Sequence, residues 1–147
     1  MRKIVAYMVV FFMFISSRGC LNLGLDNDLK QEAEQALSLD LSSGEIIEAW
    51  DTHGGFHGDG TSLIVLSMDE SFKESIKEKW QPYPLTDAAY EYYYEWGGTF
   101  DSPNSEEKAI PEIENGYWLF VMTGPQNWTV AAFDEDTNRL YYYVFDS

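Results

Sequence analysis

Residues 117–145 read YWLFVMTGPQNWTVAAFDEDTNRLYYYVF, and this stretch decides the fold. Three runs, 117–122, 128–133 and 140–145, are built from Tyr, Trp, Phe, Val and other apolar residues that suit a pleated, packed surface. Gly124-Pro125-Gln126-Asn127 and the polar segment 134–138 separate them and supply the residue types that tight turns require. The pattern predicts a three-stranded meander.

Upstream, residues 62–68 and 45–50 read as two further strands, the latter bounded by Ser42-Ser43-Gly44. Three segments carry helical periodicity instead. In 28–37, Leu29, Ala33, Ala36 and Leu37 recur on one face, with Asp26 or Asn27 placed to cap. In 69–80, Phe72, Ile76 and Trp80 share a face; Asp69, Glu70 and Glu74 lead, Lys77 and Lys79 close, and Pro82 and Pro84 follow. In 86–96, Ala89, Tyr92, Tyr93 and Trp96 are helically spaced and Gly97 stops the run. Strands with segregated helices indicate an α+β fold: a mostly antiparallel sheet of about five strands with two or three helices packed on one face.

The amino terminus has a different grammar. Arg2 and Lys3 precede an unbroken apolar run from Ile4 to Ile15, the n-region and h-region of an export signal. The run is shorter than the roughly 20 residues that a membrane-spanning helix needs. Ser17-Arg18-Gly19-Cys20 follows, and here the chain resembles the signal peptides of bacterial lipoproteins. The resemblance implies removal of residues 1–19 and lipidation of Cys20, with 20–25 a short tether and 26–147 a single acidic domain. It places the protein outside the cytoplasm, held to a membrane or cell envelope by its acyl chains.

Composition bounds the function. The 147 residues suffice for one ordinary domain, and 45% hydrophobic with 16% aromatic content is too apolar for a disordered acidic tail. Nine basic residues stand against 25 acidic ones, a net charge of −16, which excludes a nucleic-acid binder. Loss of Arg2, Lys3 and Arg18 with the signal leaves six basic residues against 25 acidic, a net charge of −19. A single cysteine excludes an intramolecular disulfide, a CxxC pair and a Cys-rich zinc site.

The densest chemistry lies in Asp51-Thr52-His53-Gly54-Gly55-Phe56-His57-Gly58-Asp59-Gly60. Both histidines of the chain sit here between two carboxylates, and imidazole with carboxylate is an ordinary donor set for zinc-like ions. Asp51, His53, His57 and Asp59 are therefore candidate metal ligands. The glycines equally suit a tight hairpin connection in which Asp51 bonds nearby backbone N–H groups, and that plainer reading is favoured. The glycine spacing also imitates a phosphate loop, but Thr61 stands in place of the lysine and a strand follows. Asp134-Glu135-Asp136 imitates a calcium loop, but Arg139 replaces its glycine and a hairpin turn explains it better.

Aromatics crowd 90–96 and 141–143, and consecutive tyrosines point in opposite directions, so some face outward. Tyr92, Tyr94, Trp96 and Tyr142 are the residues expected to contact a protein or polysaccharide partner. The plainer alternative is core filling.

The loop 51–60, Trp80-Gln81-Pro82-Tyr83-Pro84-Leu85 and the strand from Asn115-Gly116-Tyr117 to Phe120 together resemble a group of small exported bacterial proteins. The resemblance spans much of 44–145, marks the glycine-rich loop as a characteristic element and implies no activity. The reading leans away from catalysis, toward a membrane-tethered binding or interaction domain without a cofactor. The alternatives are a divalent-metal protein or metal-dependent enzyme using the 51–60 loop, and an immunity-type protein that masks a basic toxin.

Overall fold

The computed structural model describes residues 23–53, 59–87 and 110–146. Its elements are α1 (Leu23–Leu37), β1 (Glu45–Asp51), β2 (Gly60–Ser67), α2 (Lys73–Ile76), β3 (Gln81–Pro82), β4 (Gly116–Met122), β5 (Trp128–Asp134) and β6 (Arg139–Asp146). The six strands form one sheet in the order β1-β2-β6-β5-β4-β3, antiparallel at every step. The fold is α+β, with six strands where about five were expected.

The meander forms where its turn residues placed it. Gly116 pairs with Asp134 at one end of β4–β5 and Met122 with Trp128 at the other. Between β5 and β6, Asp134 organises the turn: its Oδ1 accepts the Asp136 N–H at 2.9 Å and its Oδ2 accepts the Thr137 hydroxyl at 2.6 Å. Asn138 completes the reversal at φ 53°, a conformation asparagine tolerates. Gly116 is needed at the other corner, because a Cβ there would stand 1.9 Å from the Phe133 carbonyl oxygen.

Both faces of the sheet are covered, which explains the long apolar runs of its inner strands. On one face Ile64, Leu66, Ala131, Phe133, Leu140, Tyr142 and Val144 form a single core with Leu29 and Ala33 of α1, Ile76 of α2, and Leu41, Met68, Phe72 and Trp80. On the other, Leu63, Val65, Trp128, Val130, Ala132, Tyr141 and Tyr143 pack with Ile110 and Ile113. Trp128 stacks on Tyr143 and Phe145, with centroids 5.4 and 5.5 Å away. Tyr141, Tyr142 and Tyr143 thus alternate between two cores. Tyr142 is only 3% exposed, which corrects the expectation that it contacts a partner.

The sheet edges are less regular. Between Ile46 and Glu48, β1 carries a bulge: Ile46 faces Leu66, Glu48 faces Val65, and Ile47 is the extra residue, 45% exposed. The bulge resets the alternation, so that Ile46 and Ala49 both reach the α1 core while Trp50 reaches the other. At the opposite edge β3 adds two residues beside Trp118 and Tyr117. It was not expected, because Pro82 reads as a helix stop; an edge strand tolerates a residue without an N–H.

The helices depart most from expectation. α1 begins at Leu23, one turn and more before the expected start, so Asp26 is no cap but a helical residue on the buried face with Leu29 and Ala33. Much of the expected 20–25 tether is therefore helix. At its end Ser38 adopts φ 52°, the Leu39 N–H reaches the Glu34 carbonyl and the Ser38 N–H the Gln35 carbonyl, a Schellman closure without glycine. The Lys30 ammonium donates to the Gly44 carbonyl at 2.7 Å and Glu34 accepts the Leu41 N–H at 3.1 Å, tying α1 to the approach to β1.

The helix expected over 69–80 shortens to α2. Most bonds around it close three residues back, as from Phe72 to Asp69, Glu74 to Ser71 and Ser75 to Phe72. Local side chains favour this tighter winding: Asp69 accepts from the Ser71 N–H at 2.8 Å, and Ser75 donates to the Phe72 carbonyl at 2.7 Å. Phe72, Ile76 and Trp80 are nonetheless all buried in the core. Of the third helix, expected over 86–96, all but residues 86 and 87 lies outside the described residues.

Candidate functional site

The end of the β1–β2 hairpin brings together part of the expected metal set. β1 delivers Asp51, paired with Ser62 of β2. Just beyond the strand, Asp51 Oδ1 accepts the backbone N–H of His53 at 2.8 Å, the local turn that an aspartate makes readily. The same oxygen lies 2.5 Å from His53 Nδ1. An ionised carboxylate only accepts, so Nδ1 is the donor in this contact. Thr52 faces Thr61 across the hairpin, its N–H donating to the Thr61 carbonyl at 2.9 Å while its hydroxyl accepts the Thr61 N–H at 2.9 Å. Two threonines thereby finish the ladder where the strands part, and the chain direction at His53 is fixed.

Gly60 opens the space into which the imidazole folds. A Cβ there would stand 2.9 Å from His53 N and 3.0 Å from His53 Cδ2. Gly60 pairs with Asp146 in the β2–β6 ladder, so the ring lies beside the last residue of β6. His53 Nε2 lies 3.5 Å from Asp146 Oδ2, and that nitrogen is buried without a hydrogen-bond partner. The three side chains are 21% (Asp51), 23% (His53) and 41% (Asp146) exposed.

Of the four expected metal ligands, Asp51 and His53 meet; Asp59 is exposed, and His57 lies outside the described residues. Among the described residues no three His, Cys, Asp or Glu side chains form a metal-holding group. Asp146 was missed. Its only sequence signal is register: Gly60 and Asp146 meet because β2 and β6 pair, and 85 intervening residues hide that pairing.

The opposite end of the sheet is open and acidic. A cleft of about 420 Å³ is lined by Glu114, Glu135 and Asp136, with Asn115, Tyr83 and Tyr117 among its other walls. Asn115 donates to Asp136 Oδ2 at 3.0 Å. A second, smaller cleft of about 220 Å³ shares Glu135 and adds Glu70, Lys73 and Asn138. Lys73 reaches Glu135 at 3.4 Å and, among the described residues, is the single basic residue lining either cleft.

Cys20 and the contact residues Tyr92, Tyr94 and Trp96 lie outside the described residues. Among the described residues no helix is long and apolar enough to cross a membrane. Compared with known proteins, the chain matches no family model, no curated protein and no solved structure.

Proposed function

We propose that this protein is an exported, lipid-anchored binding domain that takes a partner of basic surface and performs no catalysis of its own. The observation that carries the reading is the pair of clefts at the β3–β4 end, where Glu70, Glu114, Glu135 and Asp136 have, among the described residues, Lys73 alone as counter-charge. Acidic residues clustered at a cleft suit a lysine or arginine side chain, which pairs with the carboxylates. The net charge of −16 would steer such a partner in from a distance. Tyr92, Tyr94 and Trp96, on the proposed third helix, belong to the same reading as further contacts. Cys20 supplies the anchor. An immunity-type protein facing a basic toxin is the special case in which that partner is harmful.

The test is titration of the full chain with a synthetic Lys/Arg-rich peptide. Combined Glu114→Gln, Glu135→Gln and Asp136→Asn should weaken binding by about tenfold or more, ~1.4 kcal/mol. A charge-matched control, Asp28→Asn, Asp40→Asn and Glu45→Gln, should bind as the wild type does. Equal weakening in both would reduce the cleft to unspecific charge and overturn the reading.

A further inference from the structure

His53 is held by one ring nitrogen and left open at the other. Nδ1 donates to Asp51 Oδ1 at 2.5 Å, and the same oxygen takes the His53 backbone N–H at 2.8 Å, so the ring is fixed to the end of β1. Nε2 is shielded from water, has no hydrogen-bond partner and lies 3.5 Å from Asp146 Oδ2. A buried polar atom is costly while it stays unpaired. Two protein donors are too few for a metal-holding group, and none forms among the described residues. A proton is enough to fill the gap. Imidazole is the side chain that ordinarily changes charge between about pH 5 and pH 8. Without a proton, Nε2 presents a lone pair to the carboxylate oxygen and the contact repels. With one, it presents an N–H, and the contact becomes a charge-assisted hydrogen bond, which prefers about 2.7–2.9 Å. Asp146 is the freer partner, 41% exposed at the last residue of β6, so a small rotation of its side chain closes the remaining distance.

We propose that His53 is a proton-operated latch: a second proton, taken on Nε2, draws Asp146 onto the ring and pins the end of the β1–β2 hairpin to β6, and loss of that proton releases them. Few groups surround the ring among the described residues. β1 contributes Asp51, β6 contributes Asp146, and the exposed Asp59 stands next to Gly60 at the start of β2. Tyr142 of β6 lies in the field of Asp146 and keeps its proton throughout this range. Thr52 and Thr61, which close the ladder beside His53, do not titrate. Among the described residues no lysine or arginine pairs with Asp51 or Asp146, so the imidazolium is the cation within reach of both. Gly60 belongs to the same device: a Cβ there would stand 3.0 Å from His53 Cδ2, the carbon beside Nε2. The contact contributes stability on the acid side and loses it as rising pH removes the proton. The latch is independent of the acidic clefts, which lie at the other end of the sheet.

The experiment uses the full chain labelled with ¹⁵N-histidine. NMR of the ring nitrogens, with His57→Gln to assign the signals, locates the pH at which His53 Nε2 is half-protonated. Urea unfolding then compares the wild type with Asp146→Asn about one pH unit below and above that point. Below it, the substitution should lower the folding equilibrium constant by about two- to fivefold, the range of a part-exposed ion pair. Above it, the loss should vanish or reverse, because an asparagine amide can donate to the lone pair. In a His53→Gln chain, Asp146→Asn should show no such dependence on pH. A His53 ring that keeps one charge state from about pH 5 to pH 9 overturns the proposal. So does an equal effect of Asp146→Asn on both sides of the midpoint, or a dependence that survives His53→Gln. The ring titration needs no substitution at the latch, so a variant that fails to fold does not remove the test.

Discussion

Tyr142 carries a phenol into the core between the sheet and α1, where its hydroxyl lies 3.4 Å from Glu32 Oε1. Burial, then the negative charge of Glu32, hold the hydroxyl protonated well above the usual tyrosine range. The unfolded chain loses this proton near pH 10 and the folded chain does not, so the stability it contributes is complete below pH 10 and is lost as pH rises toward the raised value. Each such group steepens the alkaline loss by about 1.4 kcal/mol per pH unit. Denaturant unfolding between pH 9 and pH 11 should therefore show a shallower decline in Tyr142→Phe than in the wild type. An identical slope would mean that the hydroxyl titrates normally. Tyr142 also shows the reach of residue-level reading. Three consecutive tyrosines must alternate across a strand, but whether the outward ones meet water depends on whether the second face is covered. Leu29 and Ala33 of α1 cover the face of Tyr142, Ile110 and Ile113 that of Tyr141 and Tyr143, and nothing local in 141–143 announces either cover.

The bulge in β1 is an element-scale device with a measurable consequence. Ile47 has no partner in β2, so deleting it leaves Ile46 opposite Leu66 and Glu48 opposite Val65 as consecutive pairs. Ala49 and Trp50 then keep their faces. The deletion should cost less than about 1 kcal/mol in thermal melts, a surface-like change. Deleting Ala131 from the middle of β5 should abolish folding instead, because half of that strand would turn its core residues to the wrong face. If both deletions unfold the chain, the bulge is part of the packing and not an insertion tolerated by it. The meander was legible at this scale because its turns are local and its runs are long. β3 was hidden by Pro82, which reads as a helix stop. The winding of 69–80 was legible as a buried Phe72, Ile76, Trp80 face but not in its length, because Asp69, Ser71 and Ser75 draw the backbone into tighter turns than periodicity registers.

At the scale of the whole molecule, charge opposes compaction. Few basic residues offset the acids, and among the described ones Lys30 is spent on backbone carbonyls, Lys73 on Glu135 and Lys77 on Glu74. Self-repulsion of this kind is screened by salt. Raising NaCl from about 10 mM to about 0.5 M should increase the melting temperature of the full chain, the opposite of what a fold held by surface ion pairs would do. A fall would place more weight on those few pairs than their exposure suggests. The amino-acid sequence by itself determined the α+β class, the meander with its turns, the two strands before it and the acidic balance, because alternation, turn chemistry and charge are properties of neighbouring residues. Only the tertiary structure decided that β6 lies at the centre of the sheet, that both faces are buried and that His53 faces Asp146. Those facts depend on which distant strands pair and in what register, and pairing energy is shared across the whole sheet, beyond what any local stretch encodes.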